Sequence, residues 1–421
     1  MQIPPRNSAT DRTQLFGVPW PEWSLSLVGL VIFASSIITY YWALATTGLI
    51  VAAIGLPFEH RRIRIPRFLW LYLAVLAYAA IGLATSINAS KSADQLIERL
   101  KLAAIILILV NTITTRRRFI FFVYLFVGCF LLFPLRGAFF NYFIYGENLF
   151  GRAIWNHIYR NPNDLGALSL LALGATLSIV TAPMSHRFMR FALVMGALLL
   201  LALIFMTKSR GVMLGLVVGM GPTALRFAMS KPKRLIYALV GLSVVVAFVP
   251  STTWDRFSKM GELTSTETLA TADPEGSAAE RWEIQKTAWA IFKDHSMTGV
   301  GLGNYPLANK NYRPDLGYRD THNTYLNLAA ELGLPGLVLW LWLVVSVLRG
   351  SKRGRTAERV AAIGLNYVWM ERAFVGFLIA GFVGTYWGLT APYLYAAVLW
   401  CSSNVDLSGA TFRASSAVPR R

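Results

Sequence analysis

The pentapeptide Thr321-His322-Asn323-Thr324-Tyr325 opens an apolar stretch, and its residue types are well suited to chemistry on a phosphate. A helix N-terminus offers free N–H groups and a partial positive charge, a natural seat for an anion. Histidine there could be a general base, a phosphate donor or a cap-region residue. Asn323, Thr324 and Tyr325 crowd the same turn with more polar groups than a cap requires. Two arginines are its natural companions. Arg210 lies in the corner Thr207-Lys208-Ser209-Arg210-Gly211 between apolar runs, where a cation at the hydrocarbon edge is costly unless paired or hydrated. Gly211 permits close approach there, and Arg210 can fork onto a phosphate. The plainer alternative is that Arg210 snorkels to the interface. Arg281 precedes Trp282, an interface anchor that would hold it at headgroup height. Alternatively it is a solvated residue, or a partner of Glu280 or Glu283. Together these groups suit an anionic, lipid-borne substrate.

Further polar residues gather in 136–164. Arg136, Arg152, Trp155, Asn156, Tyr159 and Arg160 combine guanidinium, amide and aromatic groups that suit sugar and phosphate contacts. Asn161-Pro162-Asn163-Asp164 equally makes a turn and N-cap. Glu331, inside an apolar stretch, needs a partner: it either orients a cation or satisfies backbone groups near the break Gly333-Leu-Pro-Gly336. Gly299, Gly301 and Gly303 lack the strand–helix context and lysine of a nucleotide loop, so a turn is expected there. His60, His157, His186 and His295 show no metal-ligand spacing. No HExxH or cysteine cluster occurs, and no Asp-x-Asp pair lies where the site would be. The expectation is a site without metal or cofactor, where arginines and helix dipoles neutralise a diphosphate.

The elements that must position these groups are membrane helices. The 421 residues are 55% hydrophobic and 14% charged, more apolar surface than one soluble core can hide. Cys129 and Cys401 sit in apolar runs and read as small buried hydrophobes. The first twenty-odd residues lack a cleavable signal pattern, so the first span is expected to be an uncleaved anchor. The net charge of +19 is concentrated in short links at Arg61–Arg64, Arg116–Arg118, Arg187–Arg190, Lys231–Arg234 and Arg349–Arg359. The stretch 251–320 holds eight Lys/Arg against ten Asp/Glu. This is the positive-inside pattern, not a nucleic-acid footprint. Apolar runs predict about twelve spanning helices, near 23–40, 41–58, 68–87, 95–114, 119–135, 165–182, 191–207, 211–228, 236–250, 323–348, 361–381 and 384–402. Both termini then face the cytoplasm, and 136–164, the 207–211 corner and a long loop share the outer face. The expected organisation is transmembrane helices in 1–250, a long loop in 251–322 and further helices with a tail in 323–421. Within the loop, 262–280 is polar and expected to be mobile. Trp282, Ile284, Gln285, Ala288, Trp289 and Phe292 recur at helical spacing, an amphipathic helix lying on the membrane or the bundle. Ionisable groups sit mostly at helix ends, which disfavours a transporter.

In order along the chain, Arg160-Asn-Pro-Asn-Asp164, Thr207-Lys-Ser-Arg-Gly211, Arg281-Trp282, His295-Ser-Met-Thr-Gly-Val-Gly-Leu-Gly-Asn304, His322-Asn-Thr-Tyr-Leu326 and Glu331-Leu-Gly-Leu-Pro-Gly336 resemble the O-antigen ligase superfamily. This group includes O-antigen ligases, related polymerases and protein O-oligosaccharyltransferases. The resemblance implies an all-α polytopic bacterial inner-membrane enzyme of C-type glycosyltransferase-like architecture, with one long periplasmic loop. It implies metal-independent glycosyl transfer at the periplasmic face, from a glycan on undecaprenyl diphosphate; in the ligase branch the acceptor is a lipid A–core sugar hydroxyl. Arg210 and Arg281 match the family's functional arginines, and His322 its functional histidine. Arg136, Arg152, Arg160, Lys208, Trp282, Asn323 and Tyr325 are the expected substrate contacts. No motif covers 262–280 or 306–320.

Overall fold

A computed structural model describes residues 14–15, 18–40, 43–59, 63–183, 186–249 and 277–407. The expectations for 251–276, including most of the polar stretch 262–280, and for both chain termini lie outside the described residues. Helices stand at all the positions where apolar runs predict them. They are α1 (Leu25–Thr39), α2 (Ala45–Glu59), α3 (Arg67–Ile81), α4 (Ala89–Thr112), α5 (Arg116–Tyr145), α6 (Pro162–Val180), α7 (Arg187–Met206), α8 (Arg210–Met229) and α9 (Pro232–Phe248). After these come α10 (Ser277–Asp294), α11 (Tyr305–Tyr312), α12 (Thr324–Gly354), α13 (Ala357–Ile363), α14 (Val368–Ala380) and α15 (Ala391–Asn404). Two-residue strands pair as hairpins, β1 (Gln14–Leu15) with β2 (Val18–Pro19) and β3 (Asn148–Leu149) with β4 (Arg152–Ala153).

The molecule is a multi-pass helical bundle, and helix length and apolarity support fewer full spans than the twelve expected. Among the described residues, six helices are long and apolar enough to cross a membrane, or seven if α13 and α14, bent by 102°, form one broken span. α1 and α2 have 15 residues each, about 22 Å of helix against a hydrocarbon core of roughly 30 Å. They pack backbone to backbone through Gly29, Gly48, Ala52 and Gly55, the small-residue contact that stands in for hydrophobic association in lipid. α4 carries Lys91, Asp94, Glu98, Arg99 and Lys101 before its apolar second half and falls short on apolarity.

The expected outer loop 136–164 begins later than its sequence suggests. α5 runs unbroken to Tyr145, because π turns at Leu131–Leu135 and Asn141–Tyr145 absorb Pro134 without ending the helix. The described part of the long loop is also ordered. α10 buries Ile284, Ala288 and Ile291 against Val300, Tyr305 and Ala330, forming a small second core on α12, while Trp282 and Trp289 face outward. Gly299 and Gly301 adopt positive φ and press against Glu331 and Ser86, where a Cβ would clash with both. That glycine segment is a turn, as its sequence predicts. Glu331 resolves the same way: its carboxylate accepts N–H from Gly303 (2.9 Å) and Tyr305 (3.2 Å), so it satisfies backbone groups. Cys129 and Cys401 are buried thiols.

Candidate functional site

The site grows from the first turn of α12. Asn323 is its N-cap: its Oδ1 accepts from the N–H of Tyr325 (3.0 Å) and Leu326 (3.1 Å). His322, just before, has φ 49°, a left-handed conformation uncommon for a residue with a side chain. Its neighbours on both sides impose it. Thr321 Oγ1 donates to Asn323 O (3.1 Å) and lies 2.9 Å from Thr385 Oγ1. Thr324 N–H donates to Gly381 O (2.7 Å). The strain is stored in the residue whose imidazole the sequence singles out.

The stretch from Ala380 to Gly388, between α14 and α15, is the bracket that gathers the rest. Thr324 Oγ1 donates to Gly384 O (2.8 Å) and accepts from Tyr386 N–H (2.9 Å). Trp387 Nε1 donates to Asn327 Oδ1, and the Arg99 guanidinium lies 5.1 Å over the Trp387 ring while donating to Gly388 O (2.7 Å). Tyr386 OH donates to Asn163 O (3.4 Å) at the start of α6. On the other flank, Gly211 in the first turn of α8 packs against Ala380 O and Val383, a contact with no room for a Cβ. Arg210, half-buried, therefore begins α8 beside the same bracket that anchors the His322 turn. The 207–211 corner and the α6 entrance are stitched together by buried Arg152, which donates to Thr207 O (2.8 Å) and Asn163 Oδ1 (2.7 Å). Lys208 is buried with φ 49°, and its ammonium reaches the turn at Gly151.

Electrostatics tie Arg281 to this assembly. Burial, then the positive charges of Arg281 and Arg319, pull the His322 pKa down from 6.5 to about 4, so the imidazole is neutral near pH 7. The charges of Asp164, Arg152 and Arg281 all reach the Tyr386 hydroxyl. Asp320 is exposed to solvent; surrounding protein raises its pKa by desolvation, opposed by hydrogen bonds from Thr385 and Thr321. Arg319 is held by Glu280 at 2.8 Å. The arrangement offers a neutral imidazole, guanidinium charge and a carboxylate within electrostatic reach of one another.

Not every expected contact is brought in. Arg136 lies on α5 with its guanidinium 4.7 Å over the Phe140 ring, facing outward. Arg160 is exposed at the end of the short turn His157–Arg160. Trp282 faces solvent or lipid, with Lys286 Nζ 6.0 Å from its ring. Asn323 and Tyr325 do reach the site, but their polar atoms are engaged: Asn323 in the cap, and Tyr325 OH donating to Leu378 O (2.7 Å). Sequence reasoning passed over Asp320, Arg319 and the whole bracket. The available signal was a run 381–393 too rich in glycine and aromatic residues, Gly381, Gly384, Tyr386, Trp387 and Gly388, for an uninterrupted span. Among the described residues no group of His, Cys, Asp and Glu is arranged to hold a metal ion.

A search of curated proteins finds no match. Residues 195–341, from the middle of α7 to the middle of α12, match a family model described as O-antigen ligase. Members of that family are glycosyltransferase-like ligases and polymerases acting on lipid-linked glycans. The matched stretch contains Arg210, Arg281 and His322 and ends beyond the α12 turn just described, so residues 195–341 of this multi-pass membrane protein are similar to the O-antigen ligase superfamily.

Proposed function

We propose that the protein is an O-antigen ligase, an inverting and metal-independent glycosyltransferase of the bacterial inner membrane. It moves a glycan from undecaprenyl diphosphate to a sugar hydroxyl of lipid A–core at the periplasmic face, with both chain termini cytoplasmic. The observation that carries this reading is one bracket, Ala380–Gly388, supporting both the His322 turn and the Arg210 corner, with Arg281 close enough to act on the imidazole.

In this reaction the acceptor oxygen attacks the anomeric carbon from the face opposite the diphosphate. A new C–O bond forms as the sugar–phosphate C–O bond breaks, and the leaving diphosphate keeps the electron pair. Arg210 and Arg281 bind that diphosphate and stabilise the charge growing on it. His322, neutral in the empty site, orients the acceptor hydroxyl and takes its proton. An imidazole whose conjugate acid has a pKa near 4 is a weak base alone. An anionic diphosphate beside it raises that pKa, so donor binding itself improves the base. Lys208 adds positive charge at the corner, while Arg152, Asn323 and Tyr325 hold the frame. Arg136, Arg160 and Trp282 lie where the glycan and lipid extend beyond the reacting atoms.

The test is reconstitution with lipid-linked glycan and core acceptor. Arg210→Ala, Arg281→Ala and His322→Ala each lose about 10²-fold or more in rate, the scale of a removed oxyanion contact. Full activity in all three removes the mechanism. Supplying lipid-linked repeat units alone separates the ligase from its nearest rival: glycan that lengthens without core acceptor identifies a polymerase. Glycan on a pilin-like protein identifies a protein O-oligosaccharyltransferase.

A further inference from the structure

A buried cation behind the bracket has no part in the transfer chemistry described above. Arg99, on α4, is only 9% exposed. Glu98 beside it pairs with Lys101 (2.6 Å). Glu331, the acid within reach of its charge, is already engaged by the N–H groups of Gly303 and Tyr305. The Arg99 Nε is buried and meets no acceptor among the described residues. Taking a guanidinium out of water without a carboxylate is costly, and an ionisable group in a membrane bundle is a functional candidate by default. What it does meet is the bracket: it lies 5.1 Å over the Trp387 ring and donates to Gly388 O (2.7 Å). A flat fork stacks on an indole and still donates from its edge, which an ammonium does not do.

Arg99 ends a polar stripe. Asn88, Ser92, Gln95 and Arg99 stand at i, i+4, i+7 and i+11, so they share one face of α4 and its cap. The first three hold the glycine turn that precedes α11. Asn88 O and Ser92 Oγ accept from Asn304 Nδ2 (3.1 and 3.0 Å), Ser92 Oγ donates to Leu302 O (3.0 Å), and Gln95 packs on Gly303. Arg99 holds the bracket, and the connection runs on from there. Trp387 Nε1 donates to Asn327 Oδ1, Asn327 N–H donates to Asn323 O (2.9 Å), and Asn323 is the cap beside His322. α4 therefore ties the long loop and the bracket to one rigid element.

We propose that Arg99 is a positioning residue of the transfer reaction: through Trp387 it fixes the bracket, and with it the spacing between the His322 turn and the Arg210 corner. The inference rests on the glycosyl-transfer reading for what His322 and Arg210 do. Because Arg99 acts through the bracket rather than on the reactants, its loss disturbs their alignment more than their binding.

The experiment compares Arg99→Lys and Trp387→Phe with wild type, using the full chain in nanodiscs. Arg99→Lys keeps the charge and loses the flat fork. Trp387→Phe keeps a ring under the guanidinium and loses the Asn327 bond. Each lowers kcat about tenfold with donor KM within about twofold, less than the ~10²-fold that a 1 Å misplacement costs. The double variant does little worse than either alone, since both break one connection. A readout independent of transfer is the His322 imidazole, followed by NMR and identified by the signal that His322→Ala removes. Burial is the first cause of its low pKa, so a loosened turn that admits water moves the titration upward from about 4, with Arg281 and Arg319 still present. A wild-type protein that transfers nothing defeats the ligase reading, and the titration still decides this one. Wild-type kcat per folded molecule with an unmoved His322 titration, whatever the melting temperature, overturns the proposal and assigns Arg99 to packing alone. A raised donor KM with kcat unchanged overturns it too. If Arg99→Lys does not fold, Trp387→Phe decides by the same measurements.

Discussion

The two ends of the bundle use arginine in opposite ways. At the end away from His322, guanidinium groups close the structure. Arg118 pairs with Glu59 (2.7 Å) and donates to Thr112 O, the last residue of α4. Arg116 donates to Ala362 O (2.6 Å) and Ile363 O at the end of α13. Arg359 donates to Ser402 O and Val405 O at the end of α15, and Arg355 pairs with Glu371 (2.8 Å). Each cation meets the carbonyl end of a helix or a carboxylate, the favourable sense of the helix dipole. At the His322 end Arg152 also closes structure, but Arg210 and Arg281 stand near helix N-termini, and burial, followed by the charges of Arg281 and Arg319, keeps the imidazole unprotonated. Cations at the partly positive end of a helix do not stabilise the fold. They make sense when an anion arrives, which is why charge of the same sign reads as structure at one end and as a binding site at the other.

The sharpest way to break this contrast is to delete one cation from each end. Arg281→Ala lowers the transfer rate about 10²-fold while leaving the melting temperature of purified protein near that of wild type. Arg118→Ala strands the Glu59 carboxylate and costs about 3 kcal/mol of stability, read as a lower melting temperature, with activity per folded molecule retained. If both variants lose stability alike and activity alike, the ends are not different in kind. A smaller effect probes the bracket. Thr324→Val leaves Gly384 O and Tyr386 N–H without their hydroxyl partner and costs about 2 kcal/mol. Because this loosens the His322 turn, kcat falls more than KM rises, whereas loss of fold alone would lower only the active fraction.

Where the sequence was legible, local chemistry sufficed. Apolar run length located the helices, and of the helical spacing Trp282, Ile284, Gln285, Ala288, Trp289 and Phe292 the structure buries Ile284 and Ala288 but turns Trp282 and Trp289 outward, the buried face being completed by Ile291. The Asn161-Pro162 turn does start α6, with Asn161 Oδ1 accepting from Asn163 N–H (2.9 Å). Run length could not say how α1 and α2 pack, since glycine contacts rather than span length set that hairpin. Pro134 and Arg136 read as the end of a helix because nothing in the sequence announces a π turn. The candidate site was legible as three separate residue groups, and Arg152 was legible as polar but not as the clamp it forms. What joins them, the stretch 380–388, lies over fifty residues beyond His322; its glycine and aromatic residues signal a break in the span, but the backbone carbonyls and amides that hold the Thr324 hydroxyl carry no residue-type signal.

The smallest and most diagnostic effect concerns protons. Burial and then Arg281 and Arg319 favour the neutral imidazole, so the empty site keeps a neutral His322 down to about pH 4 instead of 6.5. The acid limb of kcat/KM, which reports the free enzyme, then falls near pH 4. The limb of kcat, which reports the donor complex, falls at higher pH, because the diphosphate favours the protonated form. Removing one positive neighbour moves the free-enzyme limb upward by a fraction of a unit, more for Arg281→Gln than for Arg319→Gln, as Arg281 is the stronger influence. Burial is the largest cause and persists in both variants, so neither reaches 6.5. A free-enzyme limb that stays in place in Arg281→Gln separates that guanidinium from the imidazole. It would leave the two ends of the bundle differing in where their arginines sit, but not in what those charges do.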